Sequence, residues 1–284
     1  MTLPVDLAAE PHSRRPSLTL TIGLVLVGIH VAIALLTLVW TPYDPTQLGG
    51  GRLAPPSPAH WLGTDRLGRD FLTQVMLGSR IALMVGIGAV AIGAAIGVTL
   101  GILAAFATRL ADDTLAATLD ILIAFPSLLI AMLVVAASGT ASLGTAILAI
   151  GIALSAIVAR LTRILAKGVL GLDFITAARI SGTSWPAIVF RHVLPNIWPT
   201  LSINLALQFG LAIIAEASLS YLGLGAPPPN QSWGQLLQEA QATVYTAPID
   251  AVAPGIALVS LVIGINLVAD GLRDIADPTR SRAG

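Results

Sequence analysis

The 284-residue chain has no cysteine, so disulfides and thiolate metal sites are excluded. Charge is scarce as well. Asp, Glu, Lys and Arg make up 11% of the residues, where a soluble domain carries about 25%. The formal net charge is zero, which removes any bulk electrostatic signal for nucleic acid. Lysine is almost missing. The single one, Lys167, follows Ala166, so no G-x-x-x-x-G-K-[ST] phosphate loop exists. If ATP is used, another chain binds it. Four scattered histidines and no thiols support no metal site.

What the chain does have is apolar length. Hydrophobic residues reach 55%, and the mean hydropathy is +0.86. A membrane-spanning helix needs about 20 predominantly apolar residues. Six stretches qualify: Leu18–Trp40, Ile81–Ala107, Leu115–Ala137, Leu143–Leu165, Pro199–Leu222 and Val252–Leu272. The first run is too long for a signal-peptide core and no A-x-A site follows it, so it reads as a retained anchor. The expected fold class is therefore an all-α membrane protein in a lipid bilayer. Its expected parts are a tail 1–17, a first span with its outer segment 18–80, a core 81–272, and a tail 273–284. Dense Gly and Ala, as in "GIGAVAIGAAIGVTLGILAAFA", let helix backbones approach closely in lipid and are expected to serve packing.

Lys and Arg in the flanks set the orientation. With the N-terminus inside, Arg14, Arg15, Arg109, Arg160, Arg163, Lys167, Arg179, Arg191, Arg273, Arg280 and Arg282 are cytoplasmic. Only Arg52, Arg66, Arg69 and Arg80 fall outside. Eleven against four places both termini in the cytoplasm. Residues 41–80 and 223–251 are then outer segments and 166–198 an inner one.

The inner segment holds "TAARISGTSWPAIVFRHVLPN" (176–196). Phe174, Ala177, Ala178 and Ser181 recur at i, i+3, i+4, i+7, one helical face made mostly of small residues. Gly182 can take a positive φ and break that helix. Thr183 or Ser184 can cap a second one, with Pro186 in its first turn. There Trp185, Ile188, Val189 and His192 share a face, and Pro195 is expected to stop the helix. A helix–Gly–helix elbow presenting an apolar face is either an interaction site or an interfacial helix lying on headgroups.

The segment resembles the EAA loop of ABC importer permeases, E-A-A-x3-G-x9-I-x-L-P. Ala177, Ala178, Gly182, Leu194 and Pro195 stand at matching positions, with Thr176 in place of Glu and His192 in place of Ile. It is most similar to the second permease subunit of the dipeptide/oligopeptide/nickel branch. Four further stretches resemble that branch in order: "HWLGTDRLGRD" (60–70), "DILIAFPSLLIA" (120–131), "SYLGLGAPPPNQSWG" (220–234) and "NLVADGLRDIADP" (266–278). The resemblance implies the type I importer permease fold. It also implies import of di- or oligopeptides by alternating access, with nickel or another small solute as the alternative cargo. Implied partners are a homologous second permease, two ATPase subunits carrying ATP and Mg, and an extracytoplasmic substrate-binding protein. No cofactor and no catalysis are implied for this chain. The elbow becomes the coupling helix, its ATPase contacts drawn from Ala177, Ala178, Gly182, Trp185, Ile188, His192, Leu194 and Pro195. Trp185 and Ile188 would be its hydrophobic anchors.

Inside the spans, Asn204, Gln208 and Glu216 fall within an arc of about 120° on the fifth. A mid-bilayer charge costs about 2.5–3.5 kcal/mol, so that face is expected to avoid lipid. It lines a translocation path, makes interhelical hydrogen bonds or, for Glu216, simply lies near the outer surface. Asp120 and Asp270 sit near inner ends and are expected to reach water; His30 reads as a packing residue. In "LGTDRLGRD", Gly63 and Gly68 permit turns, Thr64 or Asp65 is expected to cap the second span's helix, and the four charges can pair. "GAPPPNQSWG" reads as a loop. A gradient-driven transporter would need clear midplane charges or inverted repeats, and an intramembrane enzyme a catalytic constellation. Neither is evident.

Overall fold

The computed structural model describes residues 18–49, 51–225, 227 and 230–276. The expected tail 1–17, the cations Arg14, Arg15, Arg280 and Arg282, and part of the 226–229 loop lie outside the described residues. Among the described residues the architecture is helical, with one isolated antiparallel bridge, Thr64 to Asp70.

Helix α1 (Leu18–Leu36) runs antiparallel to the last helix. Gly23 lies against the backbone of Gly264 and Val268, and Gly271 lies against Leu20. Near its far end His30 is buried and bonds Ser260 at 2.9 Å. Helix α2 (Phe71–Ala105) starts ten residues before the expected Ile81. The charge on Arg80 ends the apolar run but not the helix, because Asp70 caps Thr73 N–H at 2.8 Å and starts it there.

The third span is broken rather than continuous. Helix α3 (Arg109–Ala124) and helix α4 (Ser127–Ser138) meet at 92°. Pro126 forces Phe125 out of helical geometry, to φ −80° and ψ 137°. Helix α5 (Leu143–Leu170) is launched by a capping box between Ser142 and Thr145. It runs parallel to α2 along a stripe of small residues. A Cβ on Gly97 would come within 2.6 Å of Val158 Cβ, and one on Gly101 within 2.6 Å of the Ala159 oxygen. Such contact is the main source of helix association in lipid, and the packing role expected for the "GIGAVAIGAAIGVTLGILAAFA" stretch is what is found.

Helix α6 (Asp173–Ile180) and the single turn α7 (Trp185–Ile188) form the elbow. Pro195 does not stop the chain. A π-helical turn, Val189–Val193, leads directly into helix α8 (Leu194–Tyr221), so one element runs from Trp185 to Tyr221. Within it the Leu194 N–H reaches back to the Val189 oxygen. The wider turn accommodates a residue with no N–H and a bulky ring, and the Asn196 side chain donates to the His192 oxygen at 2.6 Å. After a loop, helix α9 (Trp233–Ala240) begins at a Ser232–Gln235 capping box, and helix α10 (Ile249–Ala276) completes the described chain.

Among the described residues five helices are long and apolar enough to cross a membrane, and the bent α3–α4 pair makes a sixth. The elbow gathers with the start of α1 and the ends of α2, α5 and α10. At the other end the described residues of 37–70 and 222–248 form a collar. Core clusters lie between α2, α4, α5 and α8, under the collar around Trp233, and beneath the elbow.

Candidate functional site

Helix α6 ends as the sequence leads one to expect. Gly182 has φ +84°. Its N–H bonds the Arg179 oxygen and the Thr183 N–H bonds the Ala178 oxygen, both at 3.0 Å. This is a Schellman closure, which needs a left-handed residue between the two donors. No atom lies within 4 Å of where a Gly182 Cβ would stand. Glycine is required there by conformation and not by crowding. Ser184 takes the N-cap position of α7 with Pro186 just inside.

The elbow has two faces. Inward, Ile175, Ile188, Val193 and Ile197 are at most 2% exposed and pack with Ala166 of α5. Ile188 is therefore a bolt within the chain's own core, not an anchor offered to a partner. Ile188 lies directly ahead of the π turn and Val193 at its end, and both are fully buried. Outward, Phe174, Ala177 and Ser181 are exposed and Ala178 is half-buried. The tip is Ile180, 83% exposed. Trp185 is only partly free: it meets Phe106 edge-on at 5.0 Å, and Arg179 lies 4.3 Å over its ring. The Phe174 and His192 rings stand 6.0 Å apart. Leu194 is half-buried against the elbow core and Pro195 is exposed. The elbow is thus a stiff, short projection with a small apolar outer face.

The α8 residues do not form one uniform lining. Gln208 and Glu216 are buried, each 3% exposed. Glu216 accepts a hydrogen bond from Ser220 at 2.6 Å, where α8 turns into the loop before α9. The amide oxygens of Asn204 and Gln208 are buried and have no partner. Glu216 braces a helix end, while Asn204 and Gln208 carry unspent acceptors.

At the collar end, Gly63 and Gly68 adopt positive φ as their turns demand. Asp65 does not cap α2. Its Oδ1 accepts from Leu67 and Arg69 N–H at 2.8 and 2.9 Å, and its Oδ2 accepts from Arg69 Nε at 2.6 Å. Asp70 does the capping and also takes His60 at 2.9 Å. Nearby on α9, burial pushes the Glu239 carboxyl above its usual range, with Arg69 pulling the other way.

One constellation was not anticipated. Asp112 in the first turn of α3 is 5% exposed. It accepts from Arg163 Nε at 2.5 Å and Nη2 at 2.8 Å, and from the Lys167 ammonium. Two turns on, Asp120 meets Arg160 at 3.0 Å, so it is paired as well as exposed. The signal was present as Arg160, Arg163 and Lys167 at i, i+3, i+7 on one face of α5. Those residues count toward membrane orientation in a sequence reading, and their acidic partners lie on a separate helix, α3.

Three comparisons bear on this arrangement. Residues 97–282 match the family model described as "Binding-protein-dependent transport system inner membrane component". A dipeptide transport system permease protein of Alkalihalophilus pseudofirmus is 36% identical, the match covering 90% of this chain and 84% of the relative. A glutathione transport system permease protein of Pectobacterium atrosepticum is 38% identical, covering 89% and 86%. A di/tripeptide transport system permease protein of Pseudomonas aeruginosa is 37% identical, covering 92% and 88%. In fold, the chain is similar to the solved structure of the MetNI methionine ABC transporter in inward-facing conformations. That likeness has a TM-score of 0.60 and 20% identity, and covers 71% of this chain and 96% of that one.

Proposed function

This chain belongs to the family of binding-protein-dependent transport system inner membrane components, and from that premise we propose that it forms half of a translocation pathway for di- or oligopeptides. It is a multi-pass permease subunit of an ABC importer. The peptide cargo is inferred from the relatives named for dipeptides, di/tripeptides and glutathione, all peptides with free charged ends. A homologous second permease supplies the other half, and two ATPase subunits carry Mg and ATP. Both termini and the elbow face the cytoplasm, while the collar receives the binding protein. Asn204 and Gln208, with their unpartnered amide oxygens, are the polar groups we assign to the path.

The observation that carries this reading is the elbow itself. Its inner face is bolted to α5 by Ile175, Ile188 and Val193, and its outer face ends in the exposed Ile180. A projection that must transmit a push needs both. Seating Ile180 in a groove of the ATPase would contribute about 1.5–3 kcal/mol. Ile180→Asp, expressed with the ATPases and the second permease, is expected to lose co-purifying ATPase and transport together. Unchanged association and transport would overturn the docking. A binding protein that arrives loaded with a metal or a sugar, and not a peptide, would overturn the cargo.

A further inference from the structure

Helix α3 is weakly rooted. Of its sixteen residues only Asp112 and Leu119 are buried. Leu119 rests on Ala156 and Ala159 of α5. Leu115 and Ile123 pack partly buried against the same cluster, and the polar attachments to α5 are ionic: Asp112 to Arg163 and Lys167, and Asp120 to Arg160. The partners descend α5 as the acids ascend α3, so the two helices form an antiparallel acid-over-base seam. The Asp112–Arg163 pair is bidentate, which fixes orientation as well as distance.

The α5 end of the seam is also the root of the elbow. Lys167 lies in the last turn of α5, and α6 begins at Asp173. Ala166, the neighbour of Lys167, is packed beneath Ile175 and Ile188. On the far side, α3 passes through the 92° bend at Pro126 into α4, whose Ala131 and Val135 pack in the central core with Ile150 of α5. The route from elbow to bent span therefore has a single buried charged junction, at Asp112.

We infer that Asp112 is a positioning residue that makes the elbow, α5 and α3 move as one body, so that displacement of the elbow swings the bent third span. The inference rests on the importer reading above. Asp112 acts through Arg163 and Lys167, to which it is bonded.

The absence of native cysteine gives a direct test. Thr118→Cys on α3 and Ile164→Cys on α5, both exposed, take a spin-label pair in the assembled permease–ATPase complex. The α3–α5 distance is expected to stay the same in the nucleotide-free and ATP-bound states. Asp112→Asn is expected to broaden that distance and to lower substrate moved per ATP hydrolysed by about tenfold, with the ATPases still co-purifying. Asp112→Glu should retain most coupling, and Asp112→Lys combined with Lys167→Asp should restore part of it. A distance that changes between nucleotide states in the unsubstituted complex overturns the inference, whether or not the Asp112 variants fold. So does an Asp112→Asn complex with the unsubstituted transport-to-ATP ratio. Failure of the unsubstituted permease to bring down any ATPase is a separate result and overturns the importer reading itself.

Discussion

Trp233 lies directly on Gly78: a Cβ on that glycine would stand 2.3 Å from the indole ring. The indole is 1% exposed and donates from Nε1 to the Val75 oxygen at 2.9 Å. The first helical residue of α9 is thus keyed into the early turns of α2, with His30 of α1 edge-on to the same ring at 5.4 Å. One side chain holds the collar to two spans.

Trp233→Ala should therefore cost about 3–5 kcal/mol, the usual loss for a buried large aromatic. Gly78→Val should be comparably harmful, because the indole has no free direction in which to yield. Thermal unfolding of the purified permease in detergent reads both. An unchanged midpoint for Trp233→Ala would mean the collar is held by something else.

Gly182 separates conformation from space. With room around it but φ +84°, Gly182→Ala should destabilise the elbow by about 1–2 kcal/mol. Gly182→Asn should cost less, since Asn tolerates the left-handed region. Limited proteolysis between residues 180 and 186 should rank Ala above Asn in cleavage rate. The reverse order would contradict the Schellman closure.

Asp65 satisfies two backbone donors and one guanidinium. Asp65→Ala leaves these groups unpaired in a half-buried turn and should cost about 1–3 kcal/mol. Asp65→Asn keeps one acceptor oxygen and should lose less. Hydrogen exchange at the Leu67 and Arg69 amides is the direct readout, with Ala accelerating both.

Gly101 and Gly28 offer a matched pair. A Cβ on Gly101 meets the Ala159 oxygen and Thr162 Cβ at 2.6 Å, while one on Gly28 meets nothing within 4 Å. Gly101→Leu should abolish folded permease in the membrane, and Gly28→Leu should be tolerated. Fluorescence size-exclusion of tagged variants distinguishes them; equal behaviour would refute a close α2–α5 approach.

Much of the fold could be read from apolar run length alone, because lipid demands that each crossing satisfy its own backbone. That argument located five crossings and the region of the sixth. Their limits were less visible. Arg80 ends an apolar run, yet α2 begins at Phe71 because the start of a helix is set by a cap, here Asp70, and not by hydropathy. Pro126 and Pro195 carry the same chemistry with opposite outcomes, a 92° break and an uninterrupted passage. The difference lies in whether neighbouring turns widen to accept the ring.

For the site, local rules sufficed at Gly182, where a helix of small residues must close without a side chain. They misplaced Ile188, because it packs with Ala166 of α5, some twenty residues away. Asp112 could not be paired from the sequence, since its partners stand 51 and 55 residues away on another helix.

Composition and periodicity dictated a helical membrane protein with a glycine-broken elbow, since those follow from solvent and backbone sterics. Which face of the elbow is buried, and which charges meet beside it, depended on how distant helices come together, because burial and ion pairing are properties of neighbours that local sequence does not name.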